Sequence, residues 1–537
     1  GYGKNLLSGT PNDLNLVGPD ETGTVVMEAS GGQNEFAIMG FFGRINYNYK
    51  ERYLLEVSGR YDGTSRFQKG HQWGFFPSAS VGWRVSEEPF FKPARRWIDN
   101  LKVRFSYGRL GNQVVRTSGG GQNYYAYLRK ITVDDMSSYT FGESGLMPKY
   151  SYIGAPVDSD LTWETAEQFN GGLDVAAFNG RLTFTGEVYR RNTLNMLTAG
   201  PTLPAVYGAD SPQTNAANLK TIGYELSLGW RDQFDLGGRP FGYSARATLS
   251  DYRTYITKYN NPTKVLSDQY EGRVLGEIWG YHVTGLFKSD EEASEYMSLI
   301  DAHSVQGNIF NSANADEAYL RAGDLIFADI GGGPDGEPDG KISQGSNTVD
   351  DPGDRRIIGN TRPRYLFSNR MDLGWNGFDF SIFFQGIGHC DWYPAGGDNS
   401  NTFWGPYCLT PTGFIHKDFE SNCWSEDNPD AYFPRRRGKQ AHGGSALGTA
   451  NDRYLQNVGY IRLKDVSFGY TVPFKSKVID KLRIGVAGEN LWYWSPLKRY
   501  CKTVDPEMAI SSSTFFSNSG IGISYPKTFT LNVQLTF

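Results

Sequence analysis

Between Leu101 and Tyr107 every second residue is apolar. Leu101, Val103, Phe105 and Tyr107 fall on one face of an extended chain, and Lys102, Arg104 and Ser106 on the other. This two-residue period predicts a β-strand with one apolar and one polar face. The pattern recurs near 36–49, 52–62, 73–86, 99–110, 162–176, 181–194, 218–231, 240–254, 363–375, 378–389, 458–471, 481–494 and 525–537, with a weaker copy near 20–30. That makes about 14 strands, many longer than the ~5–6 residues usual in soluble proteins. A tilted strand that crosses a bilayer needs roughly 9–11.

The connections alternate in length. Short ones fall at 49–52, at 178–180, at Asn376-Gly377 and around Pro473. Long ones cover about 111–161, 195–217, 255–362, 390–457 and 495–524. Asn-Gly is a favoured two-residue hairpin turn. Bacterial membrane barrels have short periplasmic turns and long extracellular loops. The expected fold is therefore all-β, a transmembrane antiparallel β-barrel. If Asn376-Gly377 is periplasmic, the last strand runs inward and Phe537 ends in the periplasm. Phe529, Leu531, Val533, Leu535 and Phe537 share one face of that strand. A C-terminal aromatic on an amphipathic strand resembles the signal read by the outer-membrane assembly machinery. Phe537 is the candidate assembly residue.

Composition fits a barrel and excludes other classes. Among 537 residues there are 65 glycines, and 15% are aromatic, as repeated turns and aromatic girdles require. Mean hydropathy is -0.48, and no run approaches the ~20 apolar residues of a membrane helix. Barrels keep a polar average because lipid-facing and lumen-facing residues alternate. Net charge is -5, so no nucleic-acid partner is expected. Gly1 opens the chain without a signal peptide, so the chain reads as a mature fragment or one piece of a longer protein. Cys390, Cys408, Cys423 and Cys501 form no CxxC pair. Three of them share one loop, where an oxidising compartment could pair two.

A series of motifs carries a family resemblance. It begins with Phe42-Gly43-Arg44-Ile45-Asn46-Tyr47-Asn48-Tyr49, Arg52-Tyr53-Leu54-Leu55 and Arg60-Tyr61-Asp62-Gly63-Thr64-Ser65-Arg66-Phe67. Phe76-Pro77-Ser78-Ala79, Val81-Gly82-Trp83-Arg84, Leu101-Lys102-Val103-Arg104, Ser106-Tyr107-Gly108 and Gly111-Asn112 follow. Gly323-Asp324, Ile357-Ile358-Gly359-Asn360 and Gly377-Phe378-Asp379-Phe380-Ser381 complete it. The series resembles the SusC/RagA-like TonB-dependent transporters of Bacteroidetes over nearly the whole chain. The resemblance implies a barrel of about 22 strands around an N-terminal plug. This chain would supply the C-terminal portion, with the plug and roughly the first eight strands outside it. It also implies the bacterial outer membrane and import of oligomeric nutrients, oligosaccharides or oligopeptides. The implied partners are a SusD-like surface lipoprotein that acts as a lid, the TonB–ExbB–ExbD energy system and outer-membrane lipid. No enzymatic step is implied. Two other readings remain: a passive, closed barrel of about 14 strands, and a soluble carbohydrate-binding β-protein or glycosidase.

Three loop features are candidate sites. Asp335, Glu337 and Asp339 alternate before Gly340, which matches the front of a calcium loop, with Asp329 as a candidate fourth ligand. Ser346 stands where such a loop carries a bidentate Glu, and no flanking helices are evident. The alternative is a solvated acidic turn. A structural calcium is thus the one candidate cofactor, and none is required for transport. Trp392, Tyr393, Phe403, Trp404, Tyr407 and Trp424 could stack on sugar rings or peptide side chains, or contact a partner. Packing within the loop is the plainer explanation. Arg435-Arg436-Arg437 could attract an anionic lipid or an acidic partner, against the plainer reading of a solvated face. Residues 331–336 satisfy GxGxxG, but the neighbouring acids would repel a pyrophosphate. Glu187 and Glu225 fall on the expected lumen face, and Trp492, Tyr493 and Trp494 on an expected girdle.

Overall fold

The computed structural model describes residues 34–116, 120–135, 149–200, 203–209, 211–394, 403–404, 407, 418–437, 446–472, 480–510 and 525–536. The weak strand near 20–30 and Phe537 lie outside them.

The remaining strands all form. Thirteen make one antiparallel sheet in which every neighbour in space is a neighbour in sequence. They are β1 (Ile38–Tyr49), β2 (Tyr53–Thr64), β3 (Trp73–Arg84), β4 (Ile98–Asn112), β5 (Glu164–Ala177), β6 (Leu182–Ala199) and β7 (Gln213–Leu236). β8 (Arg239–Lys258), β9 (Arg364–Trp375), β10 (Phe378–His389), β11 (Tyr460–Val472), β12 (Lys481–Trp494) and β13 (Thr528–Thr536) follow. β7 has 24 residues and β8 has 20, enough to pass beyond a bilayer at one end. β6 and β7 extend further than the alternation indicated, so the connection expected at 195–217 shortens to 200–212.

The register assigns a face to each residue, because directly paired residues in a sheet share one. One row runs Val81–Phe105–Gly171–Val188–Tyr224–Asp251 across β3 to β8. A row on the opposite face runs Arg104–Gly172–Glu187–Glu225. The first face is apolar yet exposed: Phe105 is 61% and Val188 64% accessible. A soluble sheet would cover such a face, whereas a membrane sheet gives it to lipid. The Asn376-Gly377 turn has positive φ at both residues, 48° and 85°, which a type I′ hairpin requires. Trp492 and Trp494 stand out on the apolar face, as a girdle requires. Tyr493 faces the other way, under the Arg462 guanidinium at 4.6 Å.

Among the described residues β1 pairs only with β2, and β13 only with β12. Among these residues β1 and β13 do not pair with one another, and the fourteenth strand of the smaller closed pore, near 20–30, lies outside the described residues.

The largest buried cluster lies outside the sheet. It joins Tyr281, Val283, Leu325 and Phe327 from one long connection, Trp392, Phe403, Trp404 and Phe433 from a second, and Leu497, Cys501 and Val504 from a third. Three connections thus pack as one body at one end of the sheet. The first also holds α1 (Asp290–Leu299) and α2 (His303–Phe310). Ser289 caps α1 by accepting from the Glu292 N–H, so Ser289-Asp290-Glu291-Glu292 is a helix-start signal in a stretch expected to be loop.

Candidate functional site: polar wall and loop assembly

On the polar face of the sheet, two ion pairs bridge over a glycine. Arg104 on β4 reaches Asp174 at 3.1 Å and also Glu187 on β6, past Gly172 on β5. A Cβ at Gly172 would sit 2.7 Å from the Arg104 guanidinium carbon. Asp379 on β10 accepts from Arg483 on β12 at 2.9 Å, past Gly469 on β11. A Cβ at Gly469 would overlap both partners. Hydroxyl pairs fill the gaps between strands, Ser58 with Ser78 and Thr248 with Ser368, each at 2.7 Å. Glu187 is therefore held by Arg104 and by Asn170 at 2.8 Å, while Glu225 beside it is exposed. This wall is hydrophilic, suited to a wet lumen.

The aromatic candidates do not present an open stacking surface. Trp404 and Tyr407 are 0% exposed, and Trp392 and Tyr393 are buried. Trp392 packs edge-on against Phe403, and Trp404 edge-on against Phe403, Phe433 and Tyr454, an arrangement aromatic pairs prefer, while Tyr407 lies tilted against Phe433. The Trp404 indole N–H donates to the Pro394 carbonyl at 2.8 Å, and the Tyr393 hydroxyl to the Leu447 carbonyl at 2.8 Å. A ring with both faces in a core leaves none for a sugar. Trp424, half-buried, lies over Gly323 with the Arg435 guanidinium 5.1 Å from its ring. Trp392, Tyr393, Trp404 and Tyr407 are the interior of the loop assembly, and Trp424 packs against it.

The basic run is a clamp, not a solvated face. Arg437 holds Asp324 through two contacts of 2.7 Å and also donates to the Glu317 and Tyr319 carbonyls at 3.0 and 2.9 Å. Both side chains of this pair are buried. Arg435 donates to the Ala322 carbonyl at 3.0 Å, and the exposed Arg436 pairs with Glu420. Gly323 has φ +86°, and a Cβ there would overlap the Trp424 indole. The Gly323-Asp324 motif therefore seats one aromatic ring and one guanidinium from a distant loop. Gly359-Asn360 works likewise. A Cβ at Gly359 would meet Leu455 at 2.7 Å, and the Asn360 N–H donates to Asp391 at 2.8 Å. Asp452 joins the same two connections. It contacts His282 at 2.5 Å and accepts from Arg356 at 2.8 Å and the Val283 N–H at 3.0 Å. Burial alone would raise its carboxyl, but these donors hold it below the ordinary carboxylate value.

The acidic candidates do not converge. Asp329 accepts from the Gly340 N–H at 2.7 Å, and Asp339 from the Lys341 N–H at 2.9 Å. Asp335 and Glu337 are exposed, and Asp335 has φ +62°. No three carboxylates gather as a cation cage among the described residues. Asp329 and Asp339 brace the turn instead, and the four carboxylates are not gathered to fit a calcium ion. The missed organiser of this loop is Asp354, which is buried and accepts from the Ile330, Gly331 and Ser343 N–H groups.

Cys390, Cys423 and Cys501 are free and buried, and Cys408 lies outside the described residues. The expected pairing between loop cysteines is thus not made by Cys390 or Cys423. Burial pushes the Cys390 thiol up to about 12.

Known proteins place this architecture. The family described as "TonB dependent receptor-like, beta-barrel" matches residues 2–491. TonB-dependent receptor P3 of Formosa agariphila is 27% identical over 96% of this chain and 47% of its own length. TonB-dependent receptor SusC of Bacteroides thetaiotaomicron is 24% identical over 93% of this chain and 44% of its own length. The chain spans about half the length of the curated relatives it matches. The RagAB peptide transporter superposes with a TM-score of 0.65 at 21% identity, over 94% of this chain and 48% of that one. At that identity the likeness is one of fold.

Proposed function

This chain belongs to the TonB dependent receptor-like β-barrel family of the outer membrane, and on that premise we propose that it forms part of the wall and loop surface of an active nutrient importer. The cargo is oligomeric, an oligosaccharide or an oligopeptide. A plug and further strands of the same transporter complete the barrel, a SusD-like lipoprotein closes over the loops, and TonB–ExbB–ExbD supplies the energy. The chain's own residues hold and line the path and carry out no chemical step.

The observation that carries this reading is the sheet in which, among the described residues, β1 and β13 each pair on one side alone. In lipid every unsatisfied backbone group costs several kcal/mol, so both edges call for further strands. The loop assembly supports it too. Three long connections locked by buried ion pairs make a rigid platform against which a lid can close. The polar wall, with its paired charges, suits a hydrated cargo.

Growth tests the proposal. Cells with this receptor as their only importer of its class are fed oligopeptides or oligosaccharides of defined length. Growth on one class is expected to need both the receptor and TonB, while growth on the monomer needs neither. Uptake of the oligomer that persists without TonB would instead support a passive pore.

A further inference from the structure

On the apolar face, β3 to β8 line an open hollow of about 840 Å³. Its floor is made of small residues, Ala79 and Gly171, between the larger Phe105, Phe169 and Val188. A Cβ at Gly171 would come within 3.3 Å of the Phe105 ring and narrow the floor. The hollow runs toward the end of the sheet that carries the long connections. At that end the same face turns cationic. Arg190 and Arg253 are each paired directly with Ile222, one from either side. They are therefore two strand spacings apart, roughly 9.6 Å between backbones. Both are exposed. Arg190 donates only to Asn192 at 3.1 Å, and Arg253 has no ion pair among the described residues. A third guanidinium, Arg364, is already neutralised by Asp251 at 2.5 Å.

Height decides what these cations meet. From Phe234 to Ile222, β7 climbs roughly 40 Å along its axis at ~3.3 Å per residue. A tilt of ~40° reduces that to about 30 Å, the thickness of a bilayer's hydrocarbon core. Arg190 and Arg253 thus stand at the outer boundary of the apolar band, above a hollow of chain-like character.

We propose that this hollow is a binding site for one phosphorylated lipid of the outer leaflet, with an acyl chain against Ala79, Phe105 and Val188 and the phosphate between Arg190 and Arg253. Charge complementarity selects this occupant over a neutral lipid. Two unneutralised guanidiniums at an apolar boundary favour a phosphate, which arginine binds through parallel N–H donors. Such a lipid would tie β6 to β8 at the height where the loop assembly begins.

The test uses the receptor extracted from outer membranes in mild detergent. It is titrated with dimyristoyl phosphatidic acid or with dimyristoylglycerol, and bound lipid is read by native mass spectrometry. The wild type is expected to take one phosphatidic acid with at least tenfold preference over the phosphate-free lipid. Arg190→Ala with Arg253→Ala should abolish the preference, and Ala79→Trp should weaken both lipids by filling the hollow. Equal binding of the two lipids by the wild type, or an undiminished preference in the double variant, would overturn the proposal. Heat-modifiable gel mobility checks folding. If the double variant does not fold, Ala79→Trp decides, and unchanged binding there also overturns it.

Discussion

The Arg437 guanidinium grips both oxygens of Asp324 across 113 residues of chain, with two contacts of 2.7 Å. The pair fastens the connection after β10 to the one after β8. Removing one member leaves the other charged, buried and uncompensated. Arg437→Ala is expected to cost about 3–5 kcal/mol in the stability of the loop assembly. Arg437→Lys should recover part of it, since an ammonium cannot reproduce the forked contact. Limited proteolysis between 317 and 437, with barrel mobility on a gel as control, reads this out. Wild-type resistance in the alanine variant would contradict the clamp.

Gly323→Ala should loosen the same junction from the other side. The substitution combines a strained φ of +86° with overlap on the Trp424 indole. A rigid ring cannot step aside as a flexible chain end can. The expected result is a red-shifted Trp424 emission, measured by comparison with a Trp424→Phe background, and faster trypsin cleavage. An unchanged spectrum would place Trp424 elsewhere.

Gly469→Ala should act locally. The added methyl displaces the Arg483 chain end from Asp379 without touching the backbone ladder. The barrel should fold, with a modest loss of about 1–3 kcal/mol from a broken charge-assisted hydrogen bond, discounted for the partial exposure of both groups. A denaturant titration of the refolded receptor measures it. Additivity with Asp379→Asn would mean that the glycine does not serve the pair.

The Cys390 thiol should resist alkylation in the folded receptor. Its rise from 9.0 to about 12 by burial lowers the thiolate fraction at pH 8 by roughly a thousandfold, before access is considered. The sign follows for stability. A raised thiol favours the folded state below pH 9, and that contribution is lost as pH climbs toward 12. Peptide mapping after iodoacetamide, with and without denaturant, reports the difference. Fast labelling of Cys390 in the native protein would contradict its burial.

Acid should open the loops before the barrel. Asp452 is held below the ordinary carboxylate value by Val283, His282 and Arg356, despite its burial. A depressed carboxyl stabilises above its unfolded value, 3.8, and that contribution is lost as pH falls through the lower folded value. Protease sensitivity of the loop assembly should therefore rise below about pH 4 while strand content persists. Asp452→Asn should remove the acid step.

The strands were legible because the two-residue period survives in β1 to β13, and Asn376-Gly377 named its own turn. Phe105 and Arg104 identify their faces from sequence alone. The loop assembly was not legible. Trp404 and Tyr407 look like a binding surface until Phe433 and Tyr454 cover them, and those contacts join positions far apart in the chain. Arg437 reads as a surface charge because its partner Asp324 belongs to another connection. Asp335, Glu337 and Asp339 copy a calcium loop in spacing, but Asp335 is left-handed, Asp339 accepts from the Lys341 N–H, and the carboxylates do not gather. The start of α1 could have been found from Ser289 and Glu292. Gly172 and Gly469 make sense only once their neighbouring strands carry an ion pair across them.

The most direct test is native mass spectrometry of the complex extracted from outer membranes, with peptide mapping of every chain. This sequence is expected in one assembly with a plug-bearing segment and a surface lipoprotein. Recovery of this chain alone, folded and conducting ions in a bilayer, would contradict it.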